Sequence, residues 1–102
     1  INQGQQDKHI IGTNNYIEGR SVLTADPEYL MNLYIEKALP IRSRKGLWSE
    51  KSRFTHDEYI GYIFDKNGNK VLTKNGIIHY SKKKGVHIVP AKPEGVYKDD
   101  NK

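Results

Sequence analysis

Cysteine is absent from this 102-residue chain, which excludes disulfide bridges, thiolate zinc sites and thiol nucleophiles. Long apolar runs are missing as well. No stretch approaches the roughly 20 residues of a membrane span, and no signal-peptide pattern is present. Methionine occurs once, as Met31, so the chain is expected to be a piece of something longer. Apolar residues reach only 35%, leaving seven Tyr, two Phe and one Trp to help build a small core. What the chain does have is positive charge: 17 Lys and Arg against 12 Asp and Glu, a formal +5. That excess favours a polyanionic partner without dictating a fold, and the length allows one domain.

Residues 1–7 are rich in Gln and Gly and lack periodicity, and are read as a linker. Residues 93–102 are polar and charge-mixed and read as a flexible tail, leaving 8–92 as the folded domain. Asp26-Pro27 is a strong helix start, with an N-cap before a first-turn proline and Glu28 at the positive helix end. Leu30, Leu33 and Tyr34 recur at helical spacing with Met31 and Ile35 beside them, and Pro40 stops the pattern, so a helix is predicted over about Pro27 to Ala38. A further helical turn near Asn14 to Gly19 is weakly signalled.

The second half reads as strands. Tyr59 to Phe64 is β-rich, Asp65-Lys66-Asn67-Gly68 is a hairpin turn signal, and Lys70 to Thr73 returns. Asn75-Gly76 turns again before Ile77 to Ser81, and Lys82-Lys83-Lys84-Gly85 leads into Val86 to Val89, ended by Pro90. A short strand is also predicted near Ser52 to Thr55. The expected architecture is α+β, with N-terminal helical segments packed on a three- to five-stranded antiparallel sheet.

Four histidines stand out in so small a basic chain. His9 lies in Lys8-His9-Ile10-Ile11-Gly12-Thr13, a donor- and acceptor-rich segment that also reads as a turn-stabilising cluster. His79 and His87 fall on strands joined by the Lys82–Gly85 loop. If Ser81 pairs with Gly85, His79 faces His87 with Ser81 along the same side; if Ser81 pairs with Val86, Tyr80 faces His87 instead. His56, in Thr55-His56-Asp57-Glu58, reads as a solvated turn. No pair has the short spacing of a metal motif, so neither a metal nor another cofactor is expected.

The cations recur in loops around Tyr59, Tyr62 and Tyr80, the interleaving of charge and stackable rings that single-stranded nucleic acid uses. RNA carries its own nucleophile, so a protein can cleave it with only a base for the 2′-hydroxyl, an acid for the leaving 5′-oxygen, and cations around the developing charge. Histidine suits both proton roles. Lys and Arg, with hydroxyl donors such as Thr13 and Ser81, suit the third, and the product would be a 2′,3′-cyclic phosphate.

Two segments, Lys8 to Tyr16 and Gly76 to Lys82 followed by Gly85 to Pro90, resemble the polymorphic toxin type 50 family. Ser21 to Pro27, opening the helix, fits as well. The resemblance implies a barnase/EndoU/colicin/RelE-like fold and a metal-independent ribonuclease, carried as the C-terminal module of a larger bacterial or prophage protein. It further implies delivery into a neighbouring cell, action in that cell's cytoplasm, and a cognate immunity protein. That fold also implies an active site shared by N-terminal residues and one sheet face, with His9 acting together with His79, Ser81 and His87. His9 and His87 are taken as the acid–base pair, with His79 or Ser81 orienting or stabilising charge. Lys8, Arg20 and Lys82 are taken to hold phosphates, with Thr13 and Tyr80 also on the substrate side. The expected partners are RNA, with tRNA one candidate, and an acidic immunity protein suited to a phosphate-binding face; a monomer is expected. A DNA-cleaving domain, a non-catalytic RNA binder and a phage structural module remain the alternatives.

Overall fold

Two isoleucines set the geometry of the C-terminal hairpin. In this computed structural model, which describes residues 1–93, β6 (Asn75–His79) pairs antiparallel with β7 (His87–Pro90). Ile78 lies opposite Ile88, and both are fully buried. Side chains alternate along a strand, so His79 and His87, also directly opposite, share the other face. A one-residue slip would bury the imidazoles and expose the isoleucines. Ser81 and Gly85 exchange both main-chain hydrogen bonds, at 3.0 and 2.9 Å, so the first of the two candidate registers is adopted. Gly85 closes the loop with φ 73°, a left-handed conformation natural to glycine. The expected C-terminal tail lies, beyond Pro93, outside the described residues.

Strand β3 (Trp48–Thr55) pairs with the far side of β6, and β2 (Leu39–Arg42) with β3, giving the sheet order β2-β3-β6-β7. The remaining strands, β1 (Val22–Leu23), β4 (Gly61–Phe64) and β5 (Lys70–Thr73), form a separate sheet in the order β1-β4-β5. The fold is α+β and antiparallel as expected, but with two sheets in place of one. The break falls at Lys74. Thr73 ends one sheet, its hydroxyl accepts from the Asn75 amide at 3.0 Å, and Asn75 begins the other.

Helix α2 (Pro27–Tyr34) starts as predicted, Asp26 capping the Glu28 amide at 3.0 Å. It ends earlier than Ala38, because the chain tightens through Lys37 and Ala38, both bonded to the Tyr34 carbonyl, and then enters β2. Pro40 therefore does not end the helix but sits in strand β2, where an edge position tolerates the missing donor. The core gathers Leu23, Leu30, Met31, Phe54, Ile60, Ile78 and Ile88. The weak helical signal at Asn14 to Gly19 resolves into successive turns.

Residues 1–7 do not read out as a structureless linker. Gln3–Asp7 is a helix, α1, capped by Asn2. Fully buried Gln6 accepts from the Ile88 amide at 2.7 Å and donates to the Ile88 carbonyl at 2.8 Å. Asn2 bonds the Val86 carbonyl through its main chain and the Lys84 carbonyl through its side chain. Polar composition hid this segment because its contacts are hydrogen bonds to a strand edge, which leave no apolar periodicity.

Candidate active site

The docking of α1 on β7 carries His9, two residues beyond the helix, against the imidazole face of the sheet. The His9 main chain is held on both sides, its amide on the Gln6 carbonyl at 3.0 Å and its carbonyl receiving the Leu23 amide at 2.8 Å. Its ring stacks on His87 with centroids 6.1 Å apart and planes 19° from parallel. His87 meets His79 on its other flank, at 4.9 Å and 33°. Three imidazoles from the two ends of the chain therefore form one column with His87 in the middle.

The ring of His9 is oriented by Ser21, whose carbonyl lies 2.9 Å and whose hydroxyl 3.1 Å from Nδ1. A carbonyl can only accept, so Nδ1 carries the proton and Nε2 keeps the lone pair. His9 is 4% exposed, whereas His79 and His87 are half-buried. Burial holds all three below the ordinary histidine value. For His9 the Arg20 and Lys8 charges add to it, and for His79 Lys51 and His9 do. His87 is lowest, at about 4, through burial and then His79, His9 and Lys8. At neutral pH the column is uncharged inside a cationic rim, and a bound anion would draw a proton onto it.

The other sequence-predicted residues divide. Lys8 and Arg20 lie close enough to act on the His9 charge, and Lys8 also reaches Gln5 Oε1 at 3.2 Å. Ser81 stands on the histidine side of β6, its hydroxyl accepting the Lys84 amide at 3.0 Å and so closing the lysine loop. Lys82 is exposed in that loop. Thr13 turns inward, its hydroxyl donating to the Asp7 and Ile10 carbonyls at 2.8 and 2.9 Å; it fastens the loop that carries His9. Tyr80 packs towards the core from the reverse of the sheet and meets the Trp48 ring at 5.1 Å in a tilted contact. It braces β6 from behind and does not face the imidazoles. Tyr59 and Tyr62 belong to the segment around β4, each beneath a lysine, Lys74 at 5.3 Å and Lys70 at 4.9 Å. His56 is no free turn residue, since its Nδ1 pairs with the Tyr34 hydroxyl at 2.7 Å.

Two residues not expected from the sequence join the site. Ser21 sets the His9 tautomer, and Lys51 lies directly across β3–β6 from His79. Lys51 is one of many basic residues and precedes the strand expected near Ser52 to Thr55, and its partner depends on long-range register. A cavity of about 860 Å³, lined by Ser21, Ile41, Arg53 and Ile77 among others, shares Ser21 with the site but is not lined by the three imidazoles. Among the described residues no group of three or more His, Cys, Asp or Glu could hold a metal ion, and no helix is long and apolar enough to cross a membrane. Comparison with protein families matches residues 1–90 to a family model described as bacterial toxin 50. Comparison with curated proteins finds no match.

Proposed function

Because the chain belongs to the bacterial toxin 50 family, we propose that its histidine column is the active site of an RNA endonuclease that works without a metal. The observation that carries this reading is the stacking of His9, His87 and His79 beside Lys8, Arg20 and Lys51. In-line attack on a phosphodiester places the attacking and leaving oxygens on opposite sides of phosphorus, so two separate groups must move the two protons. His9 suits the base: it is neutral, held by Ser21, and presents Nε2. It would take the 2′-hydroxyl proton as that oxygen bonds to phosphorus. His87 suits the acid, giving its proton to the 5′-oxygen as the P–O bond breaks. The products are a 2′,3′-cyclic phosphate and a free 5′-hydroxyl. His87 has a low proton affinity in the empty site, and the charge of the bound phosphate raises it when it is needed. His79, half-buried beside His87, would orient that ring and share the developing charge. Membership of the family also supports delivery within a larger protein, action in the cytoplasm of the target cell, and an acidic immunity protein covering the cationic rim.

The test is cleavage of total RNA by the purified domain, with sequencing of the ends, in wild type, His9→Asn and His87→Ala. Asn at position 9 can keep the donor to Ser21 while removing the base, so it separates chemistry from folding. Cyclic phosphate ends in the wild type, lost by at least a hundredfold in both folded variants, are expected, as for removal of general acid–base groups worth roughly 10²–10⁴. Intact RNA alongside cut plasmid would transfer the activity to DNA, and unimpaired cleavage by both variants would remove these rings from the reaction.

A further inference from the structure

Strand β3 carries an irregularity just before the histidine row. Ile41 of β2 faces Lys51, but Arg42 faces Trp48, so Ser49 and Glu50 have no partners on β2 and form a bulge. Glu50 has φ 62°, a left-handed backbone that costs a non-glycine residue roughly 1–2 kcal/mol. The bulge is held from every side. The Ser49 hydroxyl donates to the Ile41 carbonyl at 2.6 Å, the Trp48 indole N–H to the Lys51 carbonyl at 3.0 Å, and the Tyr80 amide to the Glu50 carbonyl at 2.9 Å. The tilted contact of Trp48 with Tyr80 backs it from the reverse face. Immediately after the bulge, regular pairing resumes with Lys51 opposite His79 and His79 opposite His87. Residues directly opposite each other share a face, so the row runs Lys51, His79, His87 and then, by stacking, His9. Bulges occur next to active sites, where they re-aim a side chain.

We propose that Lys51 is the phosphate-anchoring residue of the site, donating to a non-bridging oxygen of the phosphodiester bound over the histidine row, and that the Ser49–Glu50 bulge positions it there. The side chain is exposed and without a carboxylate opposite it in either ladder, since its cross-strand neighbours are Ile41 and His79. Its charge already reaches the His79 ring. The Lys82–Lys84 loop, the more conspicuous basic run, lies beyond Ser81 at the tip of the β6–β7 hairpin, to one side of this row. This inference rests on the ribonuclease reading for the identity of the phosphate as RNA, but phosphate capture can be measured without RNA.

The experiment is a titration of the imidazole NMR signals with inorganic phosphate in wild type, Lys51→Ala, Lys51→Arg and the charge control Lys66→Ala. In Lys51→Ala, without phosphate, His79 is expected to titrate at higher pH than in the wild type, because a neighbouring cation is gone. The phosphate concentration that half-shifts His79 and His87 should rise about tenfold, the loss expected for one charge-assisted contact. Lys51→Arg should recover most of it, and Lys66→Ala should match the wild type. Unchanged phosphate affinity in Lys51→Ala, an equal loss in Lys66→Ala, or no response in the wild type overturns the anchor. RNA cleavage is followed on the same samples. A wild type that takes phosphate through Lys51 yet cuts no RNA ends the ribonuclease reading alone.

Discussion

The ring of His9 lies 19° from parallel to that of His87, and the two reach this geometry from different supports. His87 is placed by strand register against His79, His9 by a short helix hydrogen-bonded to the outer edge of the same strand. Both supports run through the main chain of β7. The column is thus sensitive to anything that shifts β7 and, through Leu23 and Ser21, to displacement of β1.

The proton affinities predict an acid-shifted activity. All three histidines are held below their ordinary value of 6.5, His87 at about 4. The base stays available through neutrality, while the protonated acid becomes scarce as pH rises. The profile of kcat/KM is therefore expected to peak between about 4 and 6.5. A peak at or above pH 7.5 would mean that other groups carry the protons.

Stability should move the opposite way from activity in that range. The unfolded chain takes up protons on these rings near pH 6.5 and the folded chain only at lower pH, so the unfolded state binds more protons in between. Unfolding free energy then rises with pH across the window. The contribution is complete above 6.5 and is lost as pH falls from there through about 4. Thermal midpoints at pH 7.5, 6 and 5 should fall in that order, and less steeply in His87→Ala. An identical slope in His87→Ala would assign the effect elsewhere.

Gln6 offers a direct check on the N-terminal helix. Its two buried hydrogen bonds to Ile88 leave an amide and a carbonyl unsatisfied when the side chain is cut back. Gln6→Ala is expected to cost about 2–4 kcal/mol, judged from roughly 1–3 kcal/mol per buried polar group left unpaired. Urea unfolding measures it; a change within experimental error would show that residues 1–7 do not stabilise β7.

Two glycines should differ in what they tolerate. A Cβ on Gly61 would stand 2.0 Å from the Val22 carbonyl oxygen, and one on Gly76 would stand 2.4 Å from Cζ of Phe54. Main chain cannot yield without opening the β1–β4 ladder, whereas a ring can tilt. Gly76→Ala should cost about 1–3 kcal/mol, the range for overpacking, and Gly61→Ala more. Denaturant titration of the two side by side decides it, and the reverse order would be evidence against this packing.

How much of this was legible from the residues alone varies with the range of the interaction. The α2 cap at Asp26, the Asp65–Gly68 turn and the alternation of Ile78 with His79 are local, and the structure keeps all three. The β6–β7 register was open between two choices, because a loop of lysines sets no length by itself; buried Ile78 and Ile88 decide it. The resemblance that drew His9 to the hairpin is matched by its stacking on His87. Hidden from sequence were the contacts made by polar side chains on distant main chain, Gln6 on Ile88 and His9 on Ser21, and the bulge that puts Lys51 beside His79. Hydrogen bonds of that kind have no period and no characteristic neighbour. Tyr80 was misjudged for a related reason: a tyrosine next to His79 in sequence sits on the opposite side of a pleated strand.

The four-stranded sheet has both of its borders blunted. Along β7, Asn2 and Gln6 already occupy main-chain groups that another strand would need. Along β2, Pro40 withholds a donor and the bulge in its neighbour breaks the regular ladder. A protein that seeks to silence this chain therefore gains little by lengthening the sheet sideways. One that settled over the imidazoles instead would occlude them directly.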